Sequence, residues 1–228
     1  MNAHSQLGTG LNDVVWNFIE IPLHKTPLSK KQFEQEYTSN GNYSLTIPYD
    51  GIYFITLVGA GGGAAHLFRN NKHYVQTGSS GSRCQVKTKL KAGTYSIMIG
   101  AGSSGKWSST EWPLNVDDGE NSTFSLGNET LLIAYGGQGG DINKSGSNIS
   151  TTTHNGGAYP YITSSLDIID NYSVKGNPAS FSSTQNVIVP HGHSVYPRYG
   201  KGGEGQTASA SVSSNGTGGY FSIIEVIE

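Results

Sequence analysis

The segment Gly100-Ala101-Gly102-Ser103-Ser104-Gly105-Lys106 comes closest to a chemical motif in this 228-residue chain. It satisfies Gly-x-Gly-x-x-Gly, and it satisfies a phosphate loop up to its last position. A phosphate loop needs Ser or Thr after the lysine to reach magnesium, and a helix N-terminus whose free amides cradle phosphate. Here Trp107 follows the lysine, and Ser108-Ser109-Thr110-Glu111-Trp112-Pro113 has no helical pattern. Nucleotide binding is therefore not expected. His191-Gly192-His193 has the residue type of a transition-metal pair, and a trimer axis would supply three copies of each histidine. Seven histidines at dispersed positions point instead to a solvated loop. Asp117-Asp118-Gly119-Glu120-Asn121 has calcium-type ligands without the Asp-x-Asp-x-Asp-Gly spacing, and reads as an acidic turn. No Gly-x-Ser-x-Gly elbow lies in a strand–turn–helix context, and no carboxylate pair stands out for glycoside hydrolysis. The expectation is a protein without catalytic residues, metal or cofactor.

Aromatic residues in polar loops are the stronger functional lead. Trp107 and Trp112 lie between two strand-like runs, in a stretch too polar to be core. Tyr159-Pro160-Tyr161 and Tyr196-Pro197-Arg198-Tyr199 fall in long polar segments further along. Flat rings beside Asn, Ser and His donors suit a saccharide or protein surface. Trp107, Trp112, Tyr159, Tyr161, His191, His193, Tyr196 and Tyr199 are accordingly the candidate ligand-binding residues. The alternative is that these rings pack their own loops or a neighbouring subunit.

The elements that must position them are short strands running into glycine. Leu57-Val58 leads into Gly59-Ala60-Gly61-Gly62-Gly63, Ile97-Met98-Ile99 into Gly100-Ala101-Gly102, and Ile133-Ala134-Tyr135 into Gly136-Gly137-Gln138-Gly139-Gly140. With 32 glycines, about twice the usual share, and only 13% charged residues, the composition suits β-structure with uncharged polar surfaces. Ile52–Val58 is continuously apolar or β-branched and reads as a central strand buried on both faces. Strand patterns recur at residues 42–47, 84–90, 94–99, 122–126, 130–135, 186–189 and 219–227, without intervening helices. Residues 141–185 and 190–218 read as long polar insertions with little periodicity. One cysteine, Cys84, excludes an internal disulfide framework and reads as an inward strand residue. A net charge of −2 and a pI near 6.4 give no electrostatic footprint for nucleic acid. No apolar run has membrane-spanning length, and the N-terminus lacks signal-peptide character, so synthesis in a host cytosol without membrane insertion is expected. Residues 1–36 differ from the rest: Asp13–Ile21 is strand-like, and Leu28–Glu36 could form a helical turn or two capped by Ser29. This segment reads as an arm that anchors the domain 37–228 to a particle or partner. Trp16, Phe18 and Ile21 are its core edge or its docking surface.

Tyr37–Gly51, followed by Phe54–Gly63, resembles the opening of the glycine-rich domain found in phage tail-fibre and related virion proteins. Residues 91–102 fit that family's second hairpin, and residues 136–140 and 218–225 its later glycine tract and closing strand. The resemblance implies a jelly-roll-like (TNF-like) β-sandwich, often trimeric, whose glycine tracts pack as extended polyglycine helices within or between chains. It also implies a non-enzymatic viral structural protein of the fibre, tail or virion surface. Its partners would be further copies of itself, other virion proteins through the arm, and a host-surface glycan or protein. A purely architectural decoration protein and a bacterial carbohydrate-binding adhesive module are the alternatives.

Overall fold

Period-two burial builds the larger core, as a half-buried antiparallel sheet requires. The computed structural model describes residues 32–145, 148–152, 154–184, 196, 198–204 and 214–227. Two five-stranded antiparallel sheets face each other. The first has the order β1 (Glu34–Tyr37), β17 (Tyr220–Glu225), β3 (Gly51–Val58), β6 (Arg83–Leu90), β15 (Asp167–Asn171). The second runs β14 (Tyr161–Ile162), β11 (Glu129–Ala134), β10 (Ser122–Leu126), β7 (Gly93–Ile99), β2 (Gly41–Ile47). Alternate residues of β6 (Cys84, Val86, Thr88, Leu90) and of β7 (Tyr95, Ile97, Ile99) point inward and are buried. Between the sheets Tyr95 stacks on Phe124 at 5.0 Å, and Phe124 on Phe221 at 5.5 Å. The protein is thus an all-β sandwich, and β3 is its central strand, third of five.

The described part of the expected arm is extended, not helical. Glu34–Tyr37 pairs with β17 as β1, and the buried Glu225 carboxylate accepts the Phe33 amide (3.1 Å) and the Tyr49 hydroxyl (2.7 Å). Tertiary pairing overrides the weak local helix preference of this charged run. The compact unit accordingly begins at Gln32, and Trp16, Phe18 and Ile21 lie outside the described residues.

Beyond the sandwich, the glycine segments pack as a bundle of extended chains. The amides of Gly59 and Gly62 both donate to the segment 77–82, and those of Gly61 and Ala64 to the segment 214–219. In 77–82 the same spacing recurs: Thr77 and Ser80 donate to 175–180, Gly78 and Gly81 to 200–204, Ser79 and Ser82 to 135–140. A neighbour every third residue is the signature of a threefold extended helix, the geometry of polyproline II. Tract 59–64 is the axis of the bundle. Backbone bonds tie it to 77–82, 100–105, 116–121, 135–140, 200–204 and 214–219.

Such packing needs the absence of a Cβ. One added to Gly61 would collide with the Lys201 carbonyl, and one on Gly62 with the Gln138 carbonyl. Where an amide has no carbonyl to meet, a side-chain oxygen takes its proton. Ser79 Oγ accepts from Gln138 N (2.6 Å), Ser82 Oγ from Tyr135 N (2.8 Å), Asp118 Oδ1 from Gly139 N (2.8 Å) and Asn121 Oδ1 from Gly136 N (2.9 Å). The acidic turn expected at 117–121 therefore holds a glycine tract by its amides.

Gly62→Ala forces a methyl against backbone that cannot rotate away, an overpacking cost of about 2 kcal/mol or more. At Gly218 the nearest atom to an added Cβ is the Gly100 carbonyl oxygen at 3.6 Å, an ordinary contact. Thermal unfolding is expected to show Gly62→Ala lowered by roughly 4–8 °C and Gly218→Ala within about 2 °C of the parent. Equal shifts in the two variants would contradict the close-packed bundle.

Candidate functional site

Each tract of five or six residues spans roughly 15–19 Å at about 3.1 Å per residue. The connections between outgoing and returning tracts are therefore carried well away from the sandwich. There they form two small sheets. One has the order β16 (Phe181–Thr184), β5 (Lys72–Gln76), β4 (Ala65–Arg69), β8 (Lys106–Ser108), and the other β13 (Asn148–Thr151), β12 (Asp141–Ser145), β9 (Leu114–Asn115). β4 and β5 are joined by Asn70-Asn71 alone, with φ of 52° and 58°. Positive φ at both positions of a two-residue loop is the type I′ turn that matches strand twist, and Asn tolerates it better than most residues. Alternation along β4 then puts Ala65, Leu67 and Arg69 on one face, and His66 and Phe68 on the other.

The first face closes a small second core of Ala65, Leu67, Leu114, Val116 and Ile142, with Tyr74, Trp112 and Ile149 packed against it. Trp112 is delivered by a tight turn in which Ser108 Oγ accepts the amides of Thr110 (3.1 Å) and Glu111 (2.6 Å). Its indole N–H donates to the Asn143 carbonyl at 3.3 Å, and the Arg69 guanidinium lies 4.6 Å above its ring. A cavity of about 450 Å³ opens beside this pair, lined by Arg69, Asn70, Tyr74, Trp112, Asn148 and Ile149. That is the size of a small-ligand site, and three separate connections contribute to it.

On the other face His66 is fully buried, and its Nε2 lies 2.8 Å from His73 Nδ1. One of the two facing nitrogens must donate and the other accept, so the contact needs at least one neutral ring. Burial first, and the neighbouring imidazole second, lower the His66 pKa to about 4.

The residues singled out in the sequence fall in different places. Trp107 lies on β8, 37% exposed, and Trp112 lines the cavity; both belong to this distal end. Tyr161 sits on the sandwich edge strand β14, with Tyr159 just before it, both exposed. Tyr196 and Tyr199 stack on Tyr220 at 5.0 and 4.6 Å, where the sandwich meets the bundle. His191 and His193 lie outside the described residues. Sequence reasoning did not single out Arg69, Asn70, Tyr74 or Asn148. The available signal was Asn70-Asn71 between Ala65–Arg69 and Lys72–Gln76, a hairpin signature.

Other features are already occupied by structure. A larger groove of about 640 Å³ flanks the glycine bundle, but its Asp118, Asn121 and Gln138 oxygens each accept a backbone amide. Lys106 Nζ donates to the Asn115 carbonyl at 2.6 Å and closes the base of its own loop, with strand and not helix after it. Cys84 is buried, and its thiol pKa is raised to about 11 by burial, offset in part by the Ser173 hydroxyl, so it is not a ready nucleophile.

Fold and site together define an all-β protein in which a sandwich carries a polyglycine bundle and the bundle carries a cluster of short loops. The chain belongs to the glycine-rich domain family, whose sequence profile matches residues 38–224. No curated protein matches it.

The His66 pair makes the distal end sensitive to acid. The unfolded chain takes up a proton near pH 6.5, the folded chain only near pH 4, so stability falls as pH drops across that window. The loss is on the order of 3 kcal/mol. Denaturant unfolding between pH 7 and pH 4 is expected to show a steeper decline in the parent than in His66→Gln. Parallel pH profiles would rule the pair out as the cause.

Proposed function

We propose that this protein is a non-enzymatic attachment protein of a phage tail fibre or virion surface. Its glycine bundle acts as a stiff stem and its distal loops act as the recognition surface. The observation that carries this reading is the convergence of connections from successive tracts at one end of the bundle. There they share a small core and surround a cavity with aromatic, amide and cationic side chains. A rigid scaffold that presents loops is a common arrangement for binding. The sandwich supplies the opposite end, and the segment before Gln32, with Trp16, Phe18 and Ile21, supplies the anchor to other virion proteins. Assembly into a homotrimer multiplies individually weak contacts through valency.

The test is adsorption of purified protein to a panel of bacterial strains. The exposed residues Trp107 and Lys72 of the distal end are replaced together by Ala, and Tyr161 of the sandwich edge is replaced separately. Adsorption to at least one strain, reduced tenfold or more by the distal variant and unchanged by Tyr161→Ala, is the expected result. Absence of adsorption, together with fragile particles when the protein is omitted, would replace this reading with an architectural one.

A further inference from the structure

We infer that the distal cavity is a subsite for an acidic saccharide unit, a sugar ring carrying a carboxylate or a phosphate. This rests on the attachment reading above and names its ligand class. Arg69 and Lys72 face each other directly across the Asn70-Asn71 turn. Like charges at directly opposed positions destabilise a hairpin. Among the described residues, neither has a carboxylate partner, and both are exposed at the end of the loop. The sequence thus places two unneutralised cations at a tight two-residue turn of the distal end.

The Arg69 side chain is also preorganised. Its guanidinium carbon lies 4.6 Å over the Trp112 ring, and Trp112 is itself held by the small core and by its bond to the Asn143 carbonyl. A cation–π contact does not use up the guanidinium N–H donors, and arginine can take an oxyanion with two of them in a bidentate grip. An arginine already resting against a ring has less rotamer freedom to lose when an anion arrives.

The rest of the lining suits a sugar ring. Asn70 and Asn148 bring amides that can both donate to and accept from hydroxyls, from two different hairpins. Tyr74 and Ile149 add apolar surface beside the Trp112 edge. The volume of about 450 Å³ is that of a pocket for a compact ligand. An extended acidic peptide would need a long groove with repeated apolar anchors, and the lining offers one short pocket instead.

The experiment is ligand-observed NMR titration of the full chain with four sugars (glucuronic acid, N-acetylneuraminic acid, glucose 1-phosphate and glucose) and with a short polyglutamate peptide as the competing acidic ligand. At least one acid is expected to bind at millimolar strength and at least tenfold more tightly than glucose. Preference for the carboxylates or for the phosphate tells which oxyanion the site takes, and either supports the inference. Arg69→Gln is expected to lose binding tenfold or more, and Arg69→Lys to recover only part of it. Arg69 is exposed, so both variants should fold, which circular dichroism checks. Asn148→Ala provides an independent second variant with a severalfold loss. Equal binding of glucose and the acids, unchanged binding by Arg69→Gln, no binding of any acid, or binding of a polyglutamate peptide alone would each overturn the inference. If cell adsorption still depended on Trp107 and Lys72, the attachment reading would stand without it.

Discussion

The structure depends on contact between backbones that have no Cβ between them. Tract 59–64 meets other chain segments on all sides, and it does so through amide and carbonyl groups instead of side chains. Each such bond contributes only about 1 kcal/mol net, but an amide buried without a partner costs about 1–3 kcal/mol. Removing one tract would strand donors on several neighbours at once. The bundle is therefore cooperative for a polar reason, whereas the sandwich below it is cooperative for a hydrophobic one.

This explains the division of labour among the few side chains in the tracts. A chain with three residues per turn sends its amides in three directions, and some of them have no suitably placed carbonyl. Ser79, Ser82, Asp118 and Asn121 supply the missing oxygen. Their spacing of three, 79 to 82 and 118 to 121, is the period of the helix they serve. The low content of charged residues and the abundance of Ser and Asn follow from the same requirement.

Much of the sandwich was legible in the sequence because its strands carry the expected signals. β3 is a continuous apolar run, β6 and β7 alternate, and the glycine tracts follow β3, β7 and β11 directly. Residues 141–184 were not legible. The strands there have two to five residues and lie half exposed, so no periodic pattern develops. What orders them is the bundle: Ala179 donates to the His154 carbonyl, Gly157 to the Ser80 carbonyl, and Gly176 to the Gly157 carbonyl. The helical turn expected over Leu28–Glu36 gives way to strand at Glu34 for the complementary reason. Its local signals were present, but its partner strand lies near the other end of the chain. Aromatic residues were read as one class, and the structure separates them into a tyrosine stack around Tyr220, an exposed pair on the sandwich edge and two tryptophans at the distal end.

The chemistry of the stem also frees the distal end. Most tract-to-tract bonds run between main-chain atoms, and the exceptions come from side chains within the tracts, so the stem places few demands on the residues that follow it. The loops need only satisfy a small core, five buried side chains with three others packed against it, and the turn geometry at Asn70-Asn71. Positions such as Arg69, Lys72, Trp107 and Asn148 lie outside both constraints, because none belongs to the buried core and none bonds a tract by its side chain. A fold that stabilises itself through its backbone can leave these side chains to be set by what they must contact.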